Sequence, residues 1–128
     1  MIFIDSSYLI ALMLKQDRNY KKASALKTTI FNERIIINNT VLSEVLNSFN
    51  KYNSPNLEHN VNNMFKFDID YLTEQDYKKA LTYYRYYNTA INFSDCTILV
   101  TMNKYNTDKI VSFDSDFNKI KGIINISF

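Results

Sequence analysis

Residues 1–14 read MIFIDSSYLIALML, and the charge at position 5 decides how they are parsed. An apolar run, Ile2–Ile4, leads straight into Asp5, and a second apolar run follows from Tyr8 to Leu14. A carboxylate between two hydrophobic segments is expensive unless it is solvated, paired or holding a cation. The first run reads as a short buried strand, and SSYLIALML reads as a helix packed against it with Ser6 or Ser7 as cap. Asp5 then falls at a strand end.

The same alternation continues along the chain. NYKKASALKTTIF has helical spacing and ends near Asn32, RIIIN is a second apolar strand closed by Asn38 and Asn39, and TVLSEVLNSFNKY is helical with Thr40 as N-cap. Pro55 marks a break, and NLEHNVNNMF is a short helix. FKFDIDYL is a third strand, followed by a helix whose start, Thr73-Glu74-Gln75-Asp76, resembles a capping box. NFSDCTILVTMNKY is a helix, KIVSF a fourth strand and GIINIS a short fifth. Apolar strands without polar alternation, separated by helices, predict an α/β fold of three layers, with a mostly parallel sheet of four to five strands covered on both faces.

Size and composition bound the rest. At 128 residues, with 46% hydrophobic and 15% aromatic residues, the chain fits a single domain spanning 1–128 that buries a core without disulfides. The longest apolar stretch, Tyr8–Leu14, is too short to cross a bilayer, and no basic segment and cleavage site mark a secretory signal; a soluble, cytoplasmic protein with no membrane partner is expected. Cys96 is the only cysteine and lies in an apolar stretch, which suits a small buried thiol. With His59 as the one histidine, histidine-pair chemistry and zinc sites built on several His or Cys ligands are excluded. Gly122 is the only glycine, so neither a GxGxxG turn nor a P-loop can be built. The net charge of +2 makes no polybasic nucleic-acid coat and leaves room only for a local basic face.

Chemistry therefore rests on carboxylates. Asp5 ends the first strand, Asp114 and Asp116 follow the fourth in IVSFDSDF, Glu44 lies early in the helix after the second strand, and Asp95 opens the helix feeding the fourth. Each has an ordinary explanation: Glu44 and Asp95 favour helix N-termini, and Asp114 and Asp116 suit a turn. Collectively they point elsewhere. Ligands in open α/β sheets bind at the C-terminal strand ends, where strand order reverses. If the chain winds one way from the first strand and the other way through the fourth, Asp5 and Asp114 become neighbours there. With no Lys, Arg or His beside them in sequence, such acids repel one another unless a cation fills the site. All-oxygen ligation suits Mg²⁺ or Mn²⁺, and phosphodiester hydrolysis is the natural chemistry.

These residues resemble the PIN domain family. IFIDSSYLIAL is similar to its opening strand and aspartate turn, TVLSEVLN to its internal glutamate helix, FSDCTILV to its third acid, and IVSFDSDFNKIKGI to its T-x-D-x-D-F segment. The resemblance covers essentially the whole chain, and the short length is similar to that of VapC-type toxins of toxin–antitoxin pairs. It implies catalytic, metal-binding roles for Asp5, Glu44, Asp95 and Asp114, an outer or substrate-side role for Asp116, and supporting hydroxyls at Ser7, which would orient Asp5, and Ser112. Ser94 and Cys96 stand where alanines are common in the family, a departure that removes no acid. The resemblance further implies a Mg²⁺- or Mn²⁺-dependent endoribonuclease acting on tRNA or rRNA, leaving 5′-phosphate and 3′-hydroxyl ends, usually homodimeric and silenced by a small antitoxin. Metal-activated water is the expected nucleophile, since no histidine base is at hand.

RNA also needs contacts away from the chemistry. Lys21, Lys22, Arg34, Lys51, Lys78, Lys79, Arg85 and Lys104 are candidate phosphate contacts, and the tyrosines of YYRYY, residues 83–87, offer stacking surface or packing. Rival readings are an RNA-processing nuclease without an antitoxin, a catalytically silent RNA- or protein-binding module, and an aspartyl-phosphate phosphatase. The last usually carries D-x-D where this chain has Asp5-Ser6-Ser7.

Overall fold

A computed structural model describes residues 1–52, 56–88 and 90–127, the side chains of 50–52 apart. In chain order the elements are β1 (Ile2–Ile4), α1 (Ser6–Met13), α2 (Tyr20–Phe31), β2 (Ile35–Asn38), α3 (Asn39–Tyr52), α4 (Leu57–Met64), β3 (Asp68–Asp70), α5 (Glu74–Tyr86), α6 (Phe93–Lys104), β4 (Lys109–Val111), a 3₁₀ turn (Ser115–Lys119) and β5 (Ile124–Asn125). The predicted order of strands and helices holds throughout. The break read at Pro55 lies outside the described residues.

All five strands are parallel, in the order β3-β2-β1-β4-β5. β1 is central, and its three residues are fully buried, which is why they carry no polar alternation. α1 packs on α2 and α3, α3 on α4, and α5 on α6, giving helical layers against the sheet. Tyr8 is buried whole, its hydroxyl donating to the Ala23 carbonyl at 2.9 Å, and this ties α1 to α2.

Two predicted caps are reassigned. Asp5, not Ser6 or Ser7, occupies the N-cap position of α1, and its side chain makes no capping bond, because both hydroxyls that reach it draw it elsewhere. Asn38, not Thr40, caps α3: its side-chain oxygen accepts from the Val41 N–H at 3.1 Å. The capping box at Thr73 and Asp76 forms as read. At the end of α6 the scarcity of glycine is met by Asn106, which takes φ 54° while Thr107 N–H reaches the Met102 carbonyl at 3.0 Å.

A polar network under α6 fixes that helix to the sheet. Asn38 Nδ2 donates to the hydroxyl of Thr101 (3.2 Å), which donates to Asp70 (2.8 Å), and Lys104 bridges Asp70 and Asp76 at 2.8 Å each. Every buried carboxylate in it has a hydrogen-bonded partner.

Candidate metal centre

Chain reversal occurs at β1, with β2 on one side and β4 on the other. Asp5 follows β1 and Asp114 follows β4, and the Asp5 N–H bonds the Val111 carbonyl at 3.1 Å. The two acids therefore meet at the switch point, as the sequence predicted.

Asp5 is 6% exposed, and one carboxylate oxygen accepts from Ser7 (2.8 Å) and Ser112 (2.7 Å). The same two hydroxyls accept from the loop after β4, Ser7 from Phe113 N–H (3.0 Å) and Ser112 from Asp114 N–H (3.0 Å). This couples the position of one acid to the backbone of the other. Ser112 is held in turn by the chain's last segment, where Asn125 Nδ2 at the end of β5 and the Ser127 hydroxyl beyond it both donate to its carbonyl. Burial raises the Asp5 carboxyl above its usual range, and the charge of Asp114 adds to this; the hydroxyls of Ser112 and Ser7 oppose it.

Asp95 is presented by a cap. Asn92 opens α6 by accepting from the Asp95 N–H at 2.8 Å, and the carboxylate projects from the first turn. It is 5% exposed, and among the described residues its Oδ2 is the one buried side-chain polar atom with no hydrogen-bond partner. Burial pushes its pKa up to about 7, and the charges of Asp114, Asp5, Asp116 and Glu44 push in the same direction.

Ligand oxygens of Asp95, Asp114 and Asp116 all lie within 4.8 Å of one another. Asp116 thus lies beside Asp95 and Asp114, on a 3₁₀ turn that Asp114 caps by accepting from the Asp116 N–H at 2.9 Å. Glu44 stands outside that trio and accepts from the Ser6 hydroxyl at 2.6 Å. Burial raises its carboxyl too, and the charge of Asp5 adds to this, offset in part by the hydroxyls of Ser6 and Ser94. Ser94, a departure from the family pattern, therefore bears on a site acid.

Reading the sequence missed Lys119. It lies three residues after Asp116 and bonds its carboxylate at 2.8 Å, so the acids are not free of cations, and the i, i+3 spacing was the available signal. Asn92, three residues before Asp95, was missed in the same way. Of the nominated basic residues, Arg34 pairs with Asp68, Lys78 with Glu74, and Lys104 with Asp70 and Asp76; the Lys51 side chain is outside the described residues. The Lys22 ammonium lies 5.8 Å from the centre of the Phe113 ring, beside the acids. Cys96 is buried, and burial pushes its thiol up to about 11, as an inert core position requires.

A carboxylate oxygen buried without a partner, among acids that raise its pKa, is unfavourable as it stands and favourable around a cation. The donor set is wholly oxygen, which fits a hard divalent ion and not zinc. Fold and site together define a parallel α/β protein with a carboxylate cluster at its topological switch point.

The PIN domain family model matches residues 2–123, and the chain belongs to that family. Among solved structures it is similar to the sarcin-ricin loop cleaving toxin VapC20 of Mycobacterium tuberculosis, with TM-score 0.83, 20% identity and 98% of each chain covered. It is also similar to a toxin–antitoxin complex from Klebsiella pneumoniae (TM-score 0.74, 18% identity, 98% of this chain and 97% of that one). A third similar structure is VapBC2 of Rickettsia felis bound to a fragment of promoter DNA (TM-score 0.66, 18% identity, 98% and 97% covered). At these identities the likeness is one of fold. No curated protein is matched by the sequence. No helix among the described residues is long and apolar enough to cross a membrane.

Proposed function

We propose that this protein is a Mg²⁺- or Mn²⁺-dependent endoribonuclease and the toxin of a VapBC-type pair, cut off from its RNA when a small antitoxin covers the site. The observation that carries the reading is the unpartnered, buried Asp95 Oδ2 within the group Asp95, Asp114 and Asp116. Asp95, Asp114 and Asp116 would hold the ion, with Asp5 and Glu44 close enough to act on it electrostatically. A divalent ion in such a site supplies a lowered pKa for attacking water and stabilises charge on a phosphoryl oxygen.

The chain's own residues do the rest. Ser7 and Ser112 hold Asp5 ionisable against its burial and aim it at the acid group. Glu44, with its raised pKa, is suited to receiving a proton at its carboxylate from the attacking water. Lys119, at Asp116, can meet charge on the phosphate as it develops. The antitoxin is supported by the toxin–antitoxin complexes among the similar folds. A cytoplasmic homodimer built from one such unit over residues 1–128 completes the reading.

The test is incubation with total cellular RNA and Mg²⁺ or Mn²⁺, mapping new 5′ ends, with EDTA and Asp114→Asn as controls. Cleavage at few sites that disappears in both controls is expected. Metal binding without any cleavage would sink the enzyme reading in favour of a silent module, and light scattering gives the mass of the assembly.

A further inference from the structure

The α1–α2 connection, residues 14–19, lies against the acid site and is held by its own hydrogen bonds. Asp17 N–H bonds the Leu14 carbonyl and Tyr20 N–H the Asp17 carbonyl, both at 3.0 Å, and the Asp17 carboxylate accepts from Asn19 N–H at 2.8 Å. Beside it lies an open cleft of about 570 Å³ lined by Ser7, Gln16, Asp17, Arg18, Phe113 and Asp114, among others. That volume is in the range of ligand sites, roughly 300–1,000 Å³.

Arg18 is exposed, and among the described residues it has no carboxylate partner, its neighbour Asp17 being turned to Asn19. Lys104, which lines the space between α5 and α6, is by contrast taken up by Asp70 and Asp76. Phe113, which lines the same cleft, stacks on Tyr8 with ring centres 6.0 Å apart and has the Lys22 ammonium near its ring. The cleft thus brings together Asp114 of the acid group, an aromatic ring packed on Tyr8, and the Arg18 guanidinium, with the Asp17 carboxylate in the same lining but bonded to the Asn19 N–H, an arrangement suited to a polyanion reaching the site.

We infer that Arg18 is a positioning residue that binds a backbone phosphate of the RNA next to the one being cleaved, fixing the register of the strand. This rests on the ribonuclease reading above. A phosphate contact carries no sequence information, so the inference can be tested without knowing the target.

The experiment measures binding of a short fluorescein-labelled RNA of random sequence by anisotropy, in Ca²⁺ and across a salt series, for wild type, Arg18→Ala and Arg18→Lys. Cleavage of total RNA in Mg²⁺ or Mn²⁺ is followed alongside. Arg18→Ala is expected to weaken binding by roughly fivefold to tenfold and to make the salt slope shallower by about 0.7, the value for one phosphate of a single strand. Arg18→Lys restores most of the slope, KM rises in Arg18→Ala with kcat within about twofold, and the melting temperature is unchanged. An unchanged salt slope and KM in Arg18→Ala, with wild type active, overturns the inference alone. A wild-type protein that neither binds nor cuts RNA overturns the ribonuclease reading, and this inference with it.

Discussion

Ser112 and Asp5, 107 residues apart in sequence, are joined by a hydrogen bond of 2.7 Å from hydroxyl to carboxylate. The same hydroxyl accepts from the Asp114 N–H, so one side chain sets the positions of two site acids. Ser112→Ala is expected to fold, with a loss of about 1 kcal/mol for the hydrogen bonds removed. Cleavage should fall about 10- to 100-fold, the usual effect of removing a group that orients a metal ligand. Urea denaturation and single-turnover rates separate the two effects; equal losses of rate and stability would argue for a merely structural serine.

Asp95 has a folded-state pKa of about 7 against the ordinary 3.8. The folded chain then binds more protons than the unfolded chain between these values, so the metal-free protein loses stability as pH rises through that window. Asp95→Asn should be more stable than wild type above pH 7 in EDTA, by about 1–3 kcal/mol, with the gap closing near pH 4. Adding Mg²⁺ or Mn²⁺ should stabilise wild type and not Asp95→Asn. Thermal melts with and without metal decide this, and a variant less stable than wild type in EDTA would contradict it.

Asp70 and Asp76 are both buried and share the Lys104 ammonium. Burial alone would raise the Asp76 carboxyl, but Lys104 and the Thr73 N–H outweigh it and hold the group below its ordinary value. Its contribution to stability is therefore full above the unfolded pKa and is lost as pH falls through the lower folded one. Lys104→Met leaves two buried acids without their cation and should cost about 2 kcal/mol at neutral pH, less than a fully buried pair because the lysine is partly exposed. The deficit should shrink in acid; a pH-independent deficit would locate the loss in packing.

Lys119 competes with any cation for Asp116. Being an exposed pair, it is worth little, and Lys119→Ala should tighten divalent-ion binding only about twofold to fivefold. Calorimetric titration with Mn²⁺ measures this directly. Weaker binding in the variant would instead mean that the lysine helps to build the site.

The strands were legible because three buried residues of β1 and the IIIN of β2 leave no polar face, and a parallel sheet is the arrangement that buries such strands on both sides. Asp5 and Asp114 were legible for a related reason: an acid placed directly after such a strand has few ordinary roles. The caps were not, because Asn38 and Thr40 are both good capping residues, and the register of β2 against its neighbours chose between them. Basic residues were the least legible. Charge in a sequence does not tell a phosphate contact from a partner of a distant acid, and Lys104 finds Asp70 only through the folding of α6 over β3.

By itself the sequence determined the α/β class and the order of its elements, since these follow from hydrophobic pattern, which is local. Only the tertiary structure decided how the acids share the site: Asp116 with Asp95 and Asp114, Asp5 in a cradle of two serines, Glu44 on Ser6. Those relations join residues separated by much of the chain. They depend on distances of a few ångströms across a sheet, which no local pattern encodes.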